Sequence, residues 1–182
     1  QEASLDMMAA NPLRVEPRLR ASLGLALGAV GDTRLHPGGL PELVTIPAGP
    51  FRMGTNQGEP ALKKQQVIIF EDESPEHSVT ISYDFQVGKY PVTNAEYRAF
   101  FLAGGYDVEK WGNCWSDEGK EWLADDKRIQ PAYWDDLRWN CSNQPVVGVT
   151  WFEAEAYCNW LTRVLQASGE LSGLQQAGET FN

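Results

Sequence analysis

The chain has 182 residues, 42% hydrophobic and 22% charged, with 25 acidic against 15 basic residues and a formal net charge of −10. That length holds one domain, or one domain with an appended element, and the composition is that of a globular protein rather than a disordered chain. There is no run of about 18 apolar residues to span a membrane and no basic stripe to neutralise phosphates, so neither membrane nor nucleic acid is an expected partner.

Three cysteines, Cys114, Cys141 and Cys158, are too few and too far apart for a zinc ribbon or a disulfide framework. An odd count points to a reducing compartment, and a cytoplasmic location is the expectation. The sequence opens on Gln1 without an initiator methionine or an apolar signal core, and reads as a piece of a longer polypeptide.

In chain order, residues 1–35 are expected to hold one amphipathic helix. Pro17 suits its start, Leu19, Leu23, Leu27 and Val30 fall on one face, and Gly31 can end it in a left-handed conformation. Ala26, Leu27, Gly28, Gly31, Asp32 and Arg34 resemble the second helix of a HEAT-like repeat. A single repeat cannot bury its own face, so the helix is either the last unit of an array or an independent helix docked on the following domain.

Residues 36–42, with His36, Pro37, Gly38, Gly39 and Pro41, form a linker by composition. Two short strands divided by Pro47-Ala-Gly-Pro50 then suggest a hairpin ending at Gly54. Residues 55–77 read as a polar surface loop with one strand-like piece, Val67 to Phe70. Its acidic residues Glu71, Asp72, Glu73 and Glu76 lack the ligand spacing of an EF-hand. Alternation of Val79, Ile81, Tyr83, Phe85 and Val87 with polar neighbours predicts a half-buried strand over 77–88.

Two strand-to-helix units follow the same scheme. Pro91 and Val92 lead into Thr93, with Glu96 three residues on, and Val146, Val147 and Val149 form a buried strand leading into Thr150, with Glu153 three residues on. Each pair is a capping box, the threonine hydroxyl and the glutamate satisfying each other's free backbone amides. The first helix buries Tyr97, Phe100 and Phe101, and the second carries a stripe of Ala154, Tyr157, Cys158, Leu161 and Leu165. Gly148 permits a bulge or close backbone approach.

Trp111, Trp115, Trp122, Trp134 and Trp139 lie between these units, where Gly, Asp, Asn and Pro argue against long helices or strands. A buried indole removes roughly 200 Å² from water, worth about 5 kcal/mol, yet ordering the whole segment costs more, so it must lean on the rest of a domain. These five tryptophans are the candidate binding residues. Residues 166–182 read as a flexible tail or exposed loop.

Ile46 to Gly54, Asp72 to Val79, Val87 to Tyr97, Gln130 to Trp134 and Gln144 to Leu161 together resemble, in order and spacing, the N-terminal half of the formylglycine-generating-enzyme (sulfatase-modifying factor) family over residues 43–165. The resemblance implies an α+β, C-type-lectin-like fold with a small twisted antiparallel sheet, two helices and long irregular loops. It also implies that calcium-binding loops and a pair of copper-binding redox cysteines belong to a C-terminal half that this chain lacks. Neither copper ligand can be assigned to Cys114, Cys141 or Cys158, and His36 and His77 are too few for the histidine-held iron of the ergothioneine-type relatives. Calcium or copper is therefore expected only through residues outside this chain, and the fold is expected to be incomplete.

Two functional readings follow from the resemblance. The first is a recognition module for a protein or small-molecule ligand, the sensor or display part of a larger multidomain protein. The second is part of an active formylglycine-generating-type oxidase whose catalytic half is missing here. Under either, the expected partner is the complementary C-terminal half or a second polypeptide, contacted through the Trp-rich face.

Overall fold

The computed structural model describes residues 16–35, 40–55 and 74–169. They fall into two compact units, one formed by the described residues up to Leu43 and from Gly88 onward, the other by those within Val44–Val87. Helices and strands are both present, so the fold is mixed α+β, as expected.

The smaller unit is built on short strands. β1 (Leu43–Ile46) pairs with β4 (Phe85–Gly88), while β2 (Gly49–Met53) runs antiparallel to β3 (His77–Ile81), with Phe51 opposite Val79 and Met53 opposite His77. The expected hairpin is therefore absent, since β1 and β2 belong to different sheets. Asp84 explains the change: its Oδ1 accepts from Ala48 N at 2.8 Å, so the connection after Pro47 is tied to a distant side chain and not across a tight turn. The same residue lies in the break that divides the expected 77–88 strand into β3 and β4. Of the acidic cluster, Glu76 pairs with Arg52 at 2.7 Å. Glu71, Asp72, Glu73 and the Val67 to Phe70 piece lie outside the described residues, as do His36 and most of the 166–182 tail.

The larger unit is helical. α1 spans Pro17–Val30, α2 Asn94–Leu102, α3 Val108–Trp111, α4 Asp117–Asp126 and α5 Trp151–Ser168. Both capping boxes form. In α2 Thr93 Oγ1 accepts from Glu96 N at 3.3 Å and Glu96 Oε2 accepts from Thr93 N at 2.7 Å. In α5 Thr150 and Glu153 repeat the pair at the same two distances.

α2 and α5 pack through aromatic rings. Tyr97 and Phe100 are buried with Tyr157 and Trp160, Tyr97 stacking on Tyr157 at 5.2 Å between centroids and Phe100 meeting Tyr157 edge-on at 5.9 Å. Phe101 is half-buried against the same core. The stripe on α5 differs from the expected one: Ala156, Tyr157, Trp160, Leu161 and Leu165 are buried, Ala154 is half-buried and Cys158 is exposed. Successive helical residues point about 100° apart. The large indole of Trp160 takes the inward direction, and Cys158, one residue beyond Tyr157, is turned out.

The valine run before α5 is not a strand. Only Pro145 makes an isolated bridge, to Thr93, with Val146 N bonded to Val92 O at 2.9 Å. Gly148 ends any extension: its φ is +73°, and a Cβ there would lie 2.8 Å from Tyr133 Cδ2. The Trp-rich segment in turn is more helical than its composition suggests. Ser116 Oγ accepts from Gly119 N at 3.3 Å to start α4, which places Asp117 and Glu118 in a first turn where the helix dipole favours them.

α1 buries Leu27 alone. Leu23 is half-buried, and Leu19 and Val30 are 50% and 72% exposed, against the expectation of one continuous apolar face. The helix is docked through hydrogen bonds: Asn143 Nδ2 donates to Gly24 O at 2.9 Å and Ser142 Oγ to Gly28 O at 3.2 Å. These bonds dock α1 on the loop that precedes α5.

Candidate functional site

The polar centre of the larger unit is Glu153, whose side chain is fully buried. Oε2 accepts from Thr150 N at 2.7 Å and Thr150 Oγ1 at 2.9 Å and lies 3.5 Å from Arg128, while Oε1 accepts from Tyr106 OH at 2.6 Å. Tyr106 OH in turn is 3.1 Å from Tyr97 OH. Burial, with the neighbouring carboxylate, pushes both phenols far above their ordinary value, so they remain protonated and serve as fixed hydrogen-bond groups. Three hydrogen-bond donors and the Arg128 guanidinium surround a carboxyl that is closed to solvent, so no substrate can reach it. The network holds α2, α5 and the segment around Tyr106 together.

The five candidate indoles surround that centre unequally. Trp115 and Trp134 are buried, with Trp115 Nε1 donating to Gly105 O at 2.9 Å and Trp134 packed on Tyr97 and Phe101. Trp111 and Trp122 are half-buried; Trp111 Nε1 donates to Ala103 O at 3.0 Å and Trp122 stacks on Trp115. Trp139 stands apart, 45% exposed. Two arginines lie over indole faces, Arg98 above Trp134 at 5.0 Å and Arg128 above Trp122 at 5.3 Å. Trp151, outside the candidate set, is 77% exposed at the start of α5.

Sequence reasoning found Glu96 and Glu153 through their cap spacing but not Tyr106, Arg128 or Asn143, which reach partners far away in the chain. Asn143 alone had a local signal, the Asn-Gln-Pro turn in which it sits. Within the core, Tyr157 OH and Trp160 Nε1 find no hydrogen-bond partner among the described residues. Each such atom costs about 1–3 kcal/mol.

No group of three or more His, Cys, Asp or Glu converges to hold a metal ion among the described residues. The cysteines remain separate thiols, and burial pushes the Cys114 thiol up, away from the thiolate that a nucleophile or a metal ligand requires. His77 Nδ1 lies 3.0 Å from Pro75 O. Among the described residues the two thiols with a shifted value, Cys114 and Cys158, are both pushed up by burial, and His77 is the one histidine. No helix among the described residues is long and apolar enough to cross a membrane.

Residues 32–176 match the sulfatase-modifying factor enzyme 1-like domain. The chain belongs to that family. Among its relatives the domain is 36% identical over 134 residues to hercynine oxygenase of Mycolicibacterium smegmatis, covering 69% of this chain and 29% of that protein. It is 30% identical over 160 residues to mouse (Mus musculus) formylglycine-generating enzyme, covering 74% of this chain and 40% of that protein. A third relative is the serine/threonine-protein kinase pkn1 of Chlamydia caviae, 26% identical over 132 residues, with 71% of this chain and 18% of that protein covered. The chain thus spans less than half of the length of each. Within this sulfatase-modifying-factor-like domain the matched region starts after α1.

Proposed function

We propose that the chain is the N-terminal part of an oxygen-using enzyme of the formylglycine-generating or hercynine-oxygenase kind, on a C-type-lectin-like fold, with its reacting centre supplied by residues outside this chain. The observation that carries the reading is the similarity, over about 70% of the chain, to two relatives that are both named as enzymes. The network around Glu153 then serves as the frame against which a second half packs. Exposed apolar side chains at Trp139, Trp151, Ile129 and Leu137 offer surface for that half or for a second polypeptide.

The test compares the intact gene product with the 182-residue chain in two assays, oxidation of a Cys-x-Pro-x-Arg peptide with copper and oxygen, and oxidation of hercynine with iron and oxygen. Turnover of one substrate by the intact product and of neither by the chain is the expected result. An intact product inert in both assays overturns the enzyme reading.

The recognition reading is favoured by one finding, that the domain also occurs in a protein named as a kinase. In that case the exposed Trp139 and the half-buried Trp111 and Trp122 are the residues through which a ligand would be held, and an inert product that binds a ligand through them is its signature.

A further inference from the structure

The loop 138–145 is gripped from two sides. On one side it bonds to the start of α2: Asn94 N donates to Gln144 O and Ala95 N to Ser142 O, both at 2.9 Å, and Asn94 Nδ2 donates to Trp139 O at 2.7 Å and Cys141 O at 2.9 Å. On the other side it bonds to α1 and the turn that follows it. Asn143 Nδ2 donates to Gly24 O and, at 3.0 Å, to Asp32 Oδ2, and Ser142 Oγ to Gly28 O.

Gly24 and Gly28 lie one turn apart, so their bare backbone forms a flat strip on which the loop can rest. A Cβ on Gly28 would lie 2.6 Å from Cys141 Sγ and collide with the Asn143 amide. Asp32 is held for its part by Arg34, whose Nε donates to Oδ1 at 2.9 Å and Nη2 to Oδ2 at 2.6 Å, so Oδ2 is shared between Arg34 and Asn143.

The strength of the two grips differs. The α2 side is continuous with the aromatic core. α1 has 14 residues and buries one side chain, and a helix of that length is marginal in water without packing. We infer that α1 is a detachable clasp: it opens while the rest of the unit stays folded, and its opening leaves the loop 138–145 held by α2 alone. This places a conformational switch in α1, ahead of the matched family region, and rests on no assumption about the reaction.

Hydrogen exchange on the 182-residue chain tests it. Asn143→Ala removes both α1-side bonds of that amide, and amides of α1 are expected to exchange about tenfold faster, with those of α4 and α5 unchanged. Ser142→Ala, which leaves Asn143 in place, is the milder variant and should give about threefold in the same helix. Arg18→Ala, at an exposed position of α1, should change nothing. Acceleration shared equally by α4 and α5 in both loop variants, or α1 amides that keep their protection in both, overturns the inference.

Discussion

α1 and α5 are helices of similar apolar content held in opposite ways. α5 presents five buried apolar side chains and a buried carboxylate to the core, so its position follows from its own face. α1 presents Leu27 and two bare glycines, and its position follows from what a distant loop does to its carbonyls. Burial over a face is cooperative with global folding, whereas a few side-chain-to-backbone bonds can open locally.

Breaking the α5 side should produce the largest effects. Phe100→Ala removes a fully buried ring that meets Tyr97, Tyr157 and Trp160, and should lower global stability by about 4 kcal/mol in urea unfolding. A midpoint shift worth less than about 1 kcal/mol would show that this core is not the cooperative unit. Glu153→Ala leaves the amide and hydroxyl of Thr150 and the hydroxyl of Tyr106 without an acceptor, and should cost about 3 kcal/mol, read in the same unfolding experiment.

The α1 side should respond locally and to acid. The hydrogen bonds from Arg34 hold the Asp32 carboxyl well below its ordinary value of 3.8. A carboxyl depressed in the folded state adds stability that is complete above that value and fades as pH falls below it. Protection of α1 amides should therefore decline with acid before that of α5. Asp32→Ala, expected to loosen the joint by about 2 kcal/mol at neutral pH, should abolish this difference. Parallel acid profiles for the two helices in the parent chain would refute it.

The smallest effect is expected at α4, which neither grip involves. Lys127 caps that helix with φ of 53°, in the left-handed region. Lys127→Gly relieves this and should stabilise the chain by about 0.5 kcal/mol in thermal unfolding, leaving exchange at α1 and the 138–145 loop as it was.

Much of this was legible locally. Thr93 with Glu96 and Thr150 with Glu153 announced two helix starts because a capping box closes within four residues. Tyr97 and Phe100 announced a buried face because helical spacing is a property of the segment itself. The hairpin expected from Pro47-Ala-Gly-Pro50 failed because Asp84, far away in the chain, takes the Ala48 amide. The valine run failed as a strand because Gly148 yields to Tyr133 and Ala132. The five tryptophans were legible as a group, but not their division into buried Trp115 and Trp134 and exposed Trp139.

The order of residues alone determined the family, the mixed α+β class and the starts of α2 and α5, since each depends on side chains a few positions apart meeting their own backbone. Tertiary structure alone decided which strand pairs with which, which face of α5 turns inward and how α1 is held. Those outcomes depend on competition between distant groups for the same amides and the same apolar space, and no local pattern records who wins it.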